Sequence, residues 1–365
     1  MDFTLDETQR EIADLATGIL RKELDHERTW HDAGYDTRTW RALADAGLFS
    51  LALPADLGGD GLGVTEISVL LAEIGRAAAP VPALAALAYG VLPVDALGSP
   101  RQRAAFLPGV AAGETLLTAA LHEPSAPLTA KPRTRAETDG GRWRLTGTKI
   151  GVPFAAAAER ILVPASTPTG TAVFLVDPAA EGMALASTPS SSGLPESSIH
   201  LDGVAVSDED ALDDHAPGEA LATVRRFALA GAVSLADGVL AGALDLTSAH
   251  VGSRHQFGRP LATFQAVAQQ VADVYIASRT LDLAARSAAW RLGSGLDADG
   301  DLDVAAYWLA HEAPAALGTC HHLHGGLGVD VTYPLHRYYS LTKDLVRAVG
   351  GSASTESGVA SCSSN

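Results

Sequence analysis

Cysteine is scarce: Cys320 and Cys362 are the two thiols in 365 residues. They supply neither a disulfide framework nor a zinc-ligand spacing, so a reducing, cytoplasmic setting is expected. Positive charge is short as well, with 26 Lys and Arg against 43 Asp and Glu, a net of −17. Such a chain lacks the basic footprint that displaces counterions from phosphates, which excludes nucleic acid as a partner. An anionic small ligand would need a local cationic pocket. No targeting leader is visible, because MDFTLDETQR is polar and acidic where a signal peptide turns basic and then apolar. The uncharged stretch from Ala77 to Val94 is rich in alanine and holds Pro80, Pro82 and Pro93, which break a membrane-spanning helix. It reads as buried helix and loop, and no membrane contact is expected. A dinucleotide fingerprint is missing too: GGDGLG, Gly58 to Gly63, fails the GxGxxG frame and no strand feeds it.

What the chain does have is apolar material, 47% of its residues, enough for two or three cored domains. Residues 1–117 read as an N-terminal helical domain. Asp36 and Thr37 cap a turn that carries Trp40 and Leu43 inward and stops at Gly47. Thr65 precedes Ile67, Leu70, Leu71 and Ile74, one apolar stripe at helical spacing. Residues 118–215 change to short β-rich runs: Gly141 to Gly147, Arg160 to Val163, Thr171 to Val176 and Ser198 to Leu201, separated by Gly, Pro and Ser. A small antiparallel β domain is the expectation. Residues 216–349 return to longer helical units and predict a C-terminal four-helix bundle, with Phe264, Val267, Val271 and Val274 on one face of a helix running to Leu292. Residues 350–365 are Gly/Ser-rich without periodicity, and a disordered tail is expected. Helices, then strands, then longer helices exclude a doubly wound nucleotide fold.

Three runs carry a resemblance: LPADLGGDGLGVTE (Leu53 to Glu66), RHQFGRPLATFQ (Arg254 to Gln265) and HLHGGLGVDVTYPLHRYY (His322 to Tyr339). Together, across nearly the whole chain, they resemble the acyl-CoA dehydrogenase family. The resemblance implies FAD between domains, its diphosphate and adenosine parts held largely by a neighbouring subunit. It also implies α,β-dehydrogenation of an acyl-CoA thioester: a carboxylate takes the α-proton, a hydride leaves Cβ for the flavin, and the electrons pass to a protein acceptor, with electron-transfer flavoprotein expected.

Several positions are candidate FAD contacts on this resemblance. Arg254 is an always-charged fork suited to a pyrophosphate, though a surface arginine paired with a carboxylate is the plainer alternative. Phe257 would cover the cofactor, and Gly258 would let the backbone approach it. Gln256 and Gln265 are possible donors to FAD oxygens, Gln265 equally an ordinary polar helix residue. His322, Gly325 and Gly326, with His324 between them, form the second candidate set, since glycines past a helix end expose backbone amides. The family often carries Gln at the position of His322. Adjacent histidines face different ways on a helix, so no metal is expected.

Other expected parts are missing. The flavin-facing loop of the family is replaced by Leu121-His122-Glu123-Pro124-Ser125, and the Trp and Thr of a second flavin-facing run by Ile150, Gly151, Val152 and Pro153 after Lys149. These positions read as strand packing. Beyond Tyr333 and Pro334, the turn that bears the family's catalytic glutamate is Ala348-Val349-Gly350-Gly351. The alternative base position on the first long C-terminal helix holds Arg225, which cannot take a proton. Asp344 is expected to face elsewhere, and Glu356 lies in the tail. No residue of this chain is therefore assigned a catalytic role. The combination resembles the base-lacking partner subunit of heterotetrameric actinobacterial acyl-CoA dehydrogenases, which act on steroid side chains. That resemblance implies a homologous subunit carrying the glutamate. Steroid side-chain or fatty-acid β-oxidation is the implied setting. A flavin-dependent monooxygenase or oxidase on the same fold, and a flavin-free scaffold, are the alternatives.

Overall fold

The computed structural model describes residues 3–25, 33–139, 142–213 and 216–362. Gly141, the domain edge at 215 and the last three tail residues fall outside that set.

The N-terminal domain is helical. In α1 (Glu7–Glu23), Asp6 caps the first turn by accepting from the Gln9 amide at 2.8 Å, while the Gln9 side chain returns to the Asp6 amide. In α2 (Thr37–Asp45), Asp36 accepts from the amides of Arg38 and Thr39, both at 3.1 Å, and Trp40 and Leu43 are buried as their spacing predicts. Gly47 turns with φ +80°. In α3 (Val64–Arg76), Ile67, Leu70, Leu71 and Ile74 are almost fully buried. The alanine-rich stretch forms π-helical turns Leu84–Val91 that run into α4 (Leu92–Leu97), and it lies in the core. Helix α5 (Pro100–Ala111) completes the domain.

The middle layer holds β1 (Leu117–Ala119), β2 (Arg135–Asp139), β3 (Arg142–Pro153), β4 (Arg160–Thr167), β5 (Gly170–Val176), β6 (Met183–Thr188) and β7 (Glu196–Val206). They form one seven-stranded sheet, ordered β1-β4-β2-β3-β7-β6, with β5 on β4. The sheet is not wholly antiparallel. β1 runs parallel to β4, and β2 meets β4 in parallel at Arg135 and Ser166. The long β2–β3 excursion lets the chain re-enter the sheet in the direction in which it first arrived. Leu145, Ile161, Val163, Phe174, Ile199 and Leu201 fill a separate core beneath it.

The C-terminal bundle is built from α6 (Glu219–Ser253), α7 (Gln265–Gly293), α8 (Asp299–Tyr307), α9 (Ala313–His324) and α10 (Leu335–Ala348). Between α6 and α7, β8 (His255–Gln256) and β9 (Arg259–Pro260) make a two-stranded hairpin. A π-helical segment, Trp308–Glu312, joins α8 to α9. Helix α6 crosses α3 so closely that a Cβ on Gly238 would overlap the Ala72 carbonyl, so only glycine admits this contact. By length and composition α6 could cross a membrane, yet 72% of its most apolar window is buried inside the protein, as in a core helix.

The tail differs from expectation. Residues Ser352–Cys362 form α11, which packs on α8. Its own sequence gives little helical signal. The support is tertiary: Thr355 is buried with its hydroxyl 3.3 Å from His311 Nε2, and Gly358 lies against the Asp303 carboxylate, where small residues allow close approach.

Candidate functional site

The second motif begins at the end of α6. The Arg254 amide donates to the His250 carbonyl at 2.8 Å, and the Leu261 amide closes the hairpin by donating to the Arg254 carbonyl, also at 2.8 Å. At its tip Phe257 and Gly258 both take positive φ, +51° and +79°, the geometry of a tight two-residue turn. An aromatic side chain in that region is strained by about 1–2 kcal/mol. Phe257 is also 91% exposed, touching only the Phe264 ring edge-on at 6.2 Å. Arg254, Gln256, Gly258 and Gln265 are exposed as well. No ion pair or side-chain hydrogen bond engages Arg254 among the described residues. The alternative of a surface arginine paired with a carboxylate therefore fails. A strained aromatic and an unpaired fork at the outer end of the bundle are presented away from their own chain.

The third motif ends α9. His322, Gly325 and Gly326 are exposed, and Gly325 sits at φ +60°, ψ −134°, a conformation reserved for glycine. His324 is buried and does not contribute to the surface. Its ring stacks on His250 at 4.4 Å, donates from Nδ1 to the Cys320 carbonyl (2.8 Å) and meets the Tyr333 hydroxyl through Nε2 at 3.1 Å. Thus His250, four residues before Arg254, is clamped to His324, one residue before Gly325. That stack brings the two motifs to one end of the bundle, and sequence reasoning missed it because the pair is separated by most of the bundle.

Burial holds both imidazoles below their ordinary pKa, with the Arg254 charge adding to the effect on His250 and His250 itself adding to that on His324. The unfolded chain takes up protons from about pH 6.5 downward while the stacked pair resists them. Stability contributed here is therefore full above that pH and is lost as pH falls toward the lowered folded values. Hydrogen exchange at mildly acidic against mildly alkaline pH should show the amides near 250–256 and 322–328 losing protection in acid. Equal protection at both pH values would show that the junction does not depend on neutral rings.

The chain's own interdomain pocket lies elsewhere, between the π-helical turns, β3, the 190–196 loop and α10. Tyr89, Leu121, His122, Phe154 and Leu345 are among the residues lining it. Arg347 stands in it. Its guanidinium grips Glu196 through both Nη1 (2.9 Å) and Nη2, and Nη1 would lie 2.6 Å from any Cβ placed on Gly151. Contrary to expectation, Asp344 faces this pocket, but its carboxylate is taken by the amides of Ser191 (2.9 Å) and Ser192 (2.8 Å). Glu196 is likewise occupied, since it also accepts from Thr188 at 3.3 Å. His122 is driven by burial, and then by Arg347, down to about 4, so its imidazole is neutral. Beyond Arg347 the turn at Gly350 and Gly351 has φ of +94° and +77° and carries no side chain. Among the described residues, both carboxylates lining the pocket, Glu196 and Asp344, are engaged in hydrogen bonds.

The two runs that the resemblance sets against a flavin ring lie side by side, and Leu121, His122, Gly151 and Pro153 line the pocket. The Ile150 amide donates to the His122 carbonyl at 3.0 Å, bridging the two runs. Beneath them Lys149 and Glu123 form a fully buried ion pair at 2.7 Å, each side chain 1% exposed. Glu123 also accepts from the Arg133 amide (2.6 Å), the Thr134 amide (3.0 Å) and the Thr134 hydroxyl (2.6 Å). Burial raises its carboxyl, but the bond from Lys149 and those from Thr134 outweigh that and leave it below the usual range. Arg225 is also partly buried, near Asp299 and Asp303 rather than in the pocket.

Comparison with known proteins agrees with this geometry. The acyl-CoA dehydrogenase N-terminal domain matches residues 6–114, and the acyl-CoA dehydrogenase C-terminal domain matches residues 221–353. Acyl-CoA dehydrogenase FadE28 of Mycobacterium tuberculosis is 47% identical over 351 residues, 96% of either chain. FadE27 of the same organism is 34% identical over 367 residues, 96% of this chain and 95% of that one. Among solved structures, a variant of the Tcur3481-Tcur3483 steroid ACAD superposes with a TM-score of 0.92 at 36% identity over 99% of both chains. A chain of the ChsE4-ChsE5 complex from M. tuberculosis does so with a TM-score of 0.93 at 31% identity, covering all of this chain and 99% of that one.

Proposed function

The chain belongs to the acyl-CoA dehydrogenase family, a family of FAD-dependent oxidoreductases, and we propose that within it the chain is a base-lacking subunit that completes the FAD site of a homologous partner. The observation that carries this is the contrast between its two halves: an unpaired Arg254 and an exposed, strained Phe257 presented outward, and an inner pocket lined by the Arg347–Glu196 pair. Bound FAD would accept the hydride leaving Cβ of the acyl thioester. Arg254 would hold its diphosphate by two parallel charge-assisted bonds, Phe257 would cover it, and the amides beyond Gly325 would face its phosphates. In the chain's own pocket the residues present do not fit a flavin ring, and no step is assigned there. Proton removal belongs to a glutamate of the partner. A general base is worth about 10²–10⁴ in rate, so a chain without one is retained as a catalyst only beside a neighbour that has it.

The substrate proposed is an acyl-CoA whose acyl part derives from a steroid side chain, on the strength of the relative called a steroid ACAD. The test is co-expression with an adjacent-gene homologue that carries the glutamate, followed by dehydrogenation assays on steroidal and straight-chain CoA thioesters. The pair should turn over steroidal thioesters while this chain by itself oxidises none. Turnover by the chain alone would overturn the reading.

A further inference from the structure

A second cavity lies on the opposite side of α6, between α3, α6, α7 and the strap of residues 3–6 that precedes α1. The strap is fixed there: the Arg286 guanidinium donates to the Phe3 carbonyl at 3.1 Å, and the Phe3 ring meets Trp290 edge-on at 6.4 Å. Polar groups in this cavity are mostly spoken for. Asp6 caps α1, Glu73 accepts from Thr17 at 2.9 Å, and Arg286 is held by Asp282 as well as by the strap. Two are not. The Ser68 hydroxyl has no partner although the residue is only 8% exposed. Asp237 receives no hydrogen bond among the described residues, and burial, reinforced by the Asp282 charge, pushes its carboxyl up to about 7. Ser234, one turn before Asp237 on the same face of α6, donates to the Ala230 carbonyl at 2.7 Å and keeps its lone pairs.

A buried hydroxyl left unpartnered beside a partly exposed acid that receives no hydrogen bond is unfavourable unless something satisfies the two. The lining holds three carboxylates, on Asp6, Glu73 and Asp237, against one guanidinium, Arg286, already paired; Asp282 acts on Asp237 from beyond the lining, as do Arg76 and Arg279 with the opposite sign, and the acidic lining favours a cation over an anion. The floor offers acceptors, and the walls at Phe3, Leu5, Val69 and Trp290 are apolar or aromatic. We infer that this cavity binds a primary ammonium ion carrying a short apolar chain, the ammonium on Asp237, Ser68 and Ser234 and the chain against Phe3 and Trp290. The site is separate from the flavin and substrate surfaces and does not rest on the function proposed above.

Calorimetric titration of the full chain, in its co-expressed complex, with n-butylammonium chloride at mildly alkaline pH is the test, with sodium chloride and 1-butanol as controls. Saturable binding is expected for butylammonium alone, with thermal stabilisation that follows its concentration. Asp237→Asn should weaken it by about 10–100-fold, the loss of a charged hydrogen bond, and Ser68→Ala by about tenfold or less. Affinity should also fall about tenfold per pH unit below neutrality as a proton displaces the ammonium. FAD content should stay constant throughout. Absence of saturable heat would overturn the inference, as would equal binding by Asp237→Asn or equal binding of 1-butanol. Ser68→Ala and the pH series test it independently should Asp237→Asn not fold.

Discussion

Replacing Arg254 with alanine in the co-expressed assembly is expected to strip FAD from it while leaving this chain folded. Arg254 is exposed and makes no side-chain bond within its own chain among the described residues, so its truncation removes nothing from the fold. Surface changes of that kind fall within about 0.5 kcal/mol. Against a diphosphate the same side chain supplies two charge-assisted bonds, each worth about 1.5–3 kcal/mol. Their joint loss corresponds to about 10²–10⁴ in FAD affinity. Lysine, a point charge without the fork, should restore only part of it. Flavin absorbance per unit of protein after gel filtration, with a melting curve alongside, separates the outcomes. Full flavin retention by Arg254→Ala would favour the scaffold alternative.

The second large effect is on stability. Lys149→Ala removes one member of a pair whose side chains are each 1% exposed, leaving the Glu123 carboxylate inside the β domain with backbone and threonine donors but no counter-charge. Breaking a buried pair from one side typically costs about 3–5 kcal/mol. Replacing both at once, Glu123→Gln with Lys149→Met, should recover much of that, because the penalty comes from the uncompensated charge. Urea unfolding of the two variants checks both statements. A Lys149→Ala midpoint equal to that of the unaltered chain would show that Glu123 is neutral or hydrated in the fold. Glu123 itself sits below the usual carboxylate range, so its contribution is present above its unfolded pKa and is lost as pH falls through the lower folded value.

Much of this was legible in the residues. The stripe Ile67, Leu70, Leu71 and Ile74 is buried as its spacing requires, and Asp36 caps α2 by its own carboxylate. The helix–strand–helix order followed from local pattern, and the Arg254 to Gln265 run is a surface loop with the exposure its proposed role needs. The missing glutamate could be read directly from Ala348 to Gly351.

What could not be read depends on distant partners. Arg347 and Glu196 are separated by 151 positions, and no local pattern announces that they meet across the pocket. Asp344 was expected to point away, yet the loop at Ser191 and Ser192 folds over it and uses it as an acceptor. β1 is three residues long, too short for any period, and its parallel seat on β4 is set by where the chain re-enters the sheet. Helix α11 has serine and glycine where a helix wants stronger formers, and α8 supplies the missing stabilisation. Local chemistry thus announces the parts that present outward, while the pairing of Arg347 with Glu196 inside the pocket comes only from tertiary structure.

The most direct measurement is the flavin stoichiometry of this chain purified alone and of the same chain purified with its glutamate-bearing homologue. The account predicts a colourless isolated chain and one FAD for each unlike pair, lost on Arg254→Ala. An isolated chain that is stoichiometrically yellow, with its absorbance unaffected by Arg254→Ala, would contradict it.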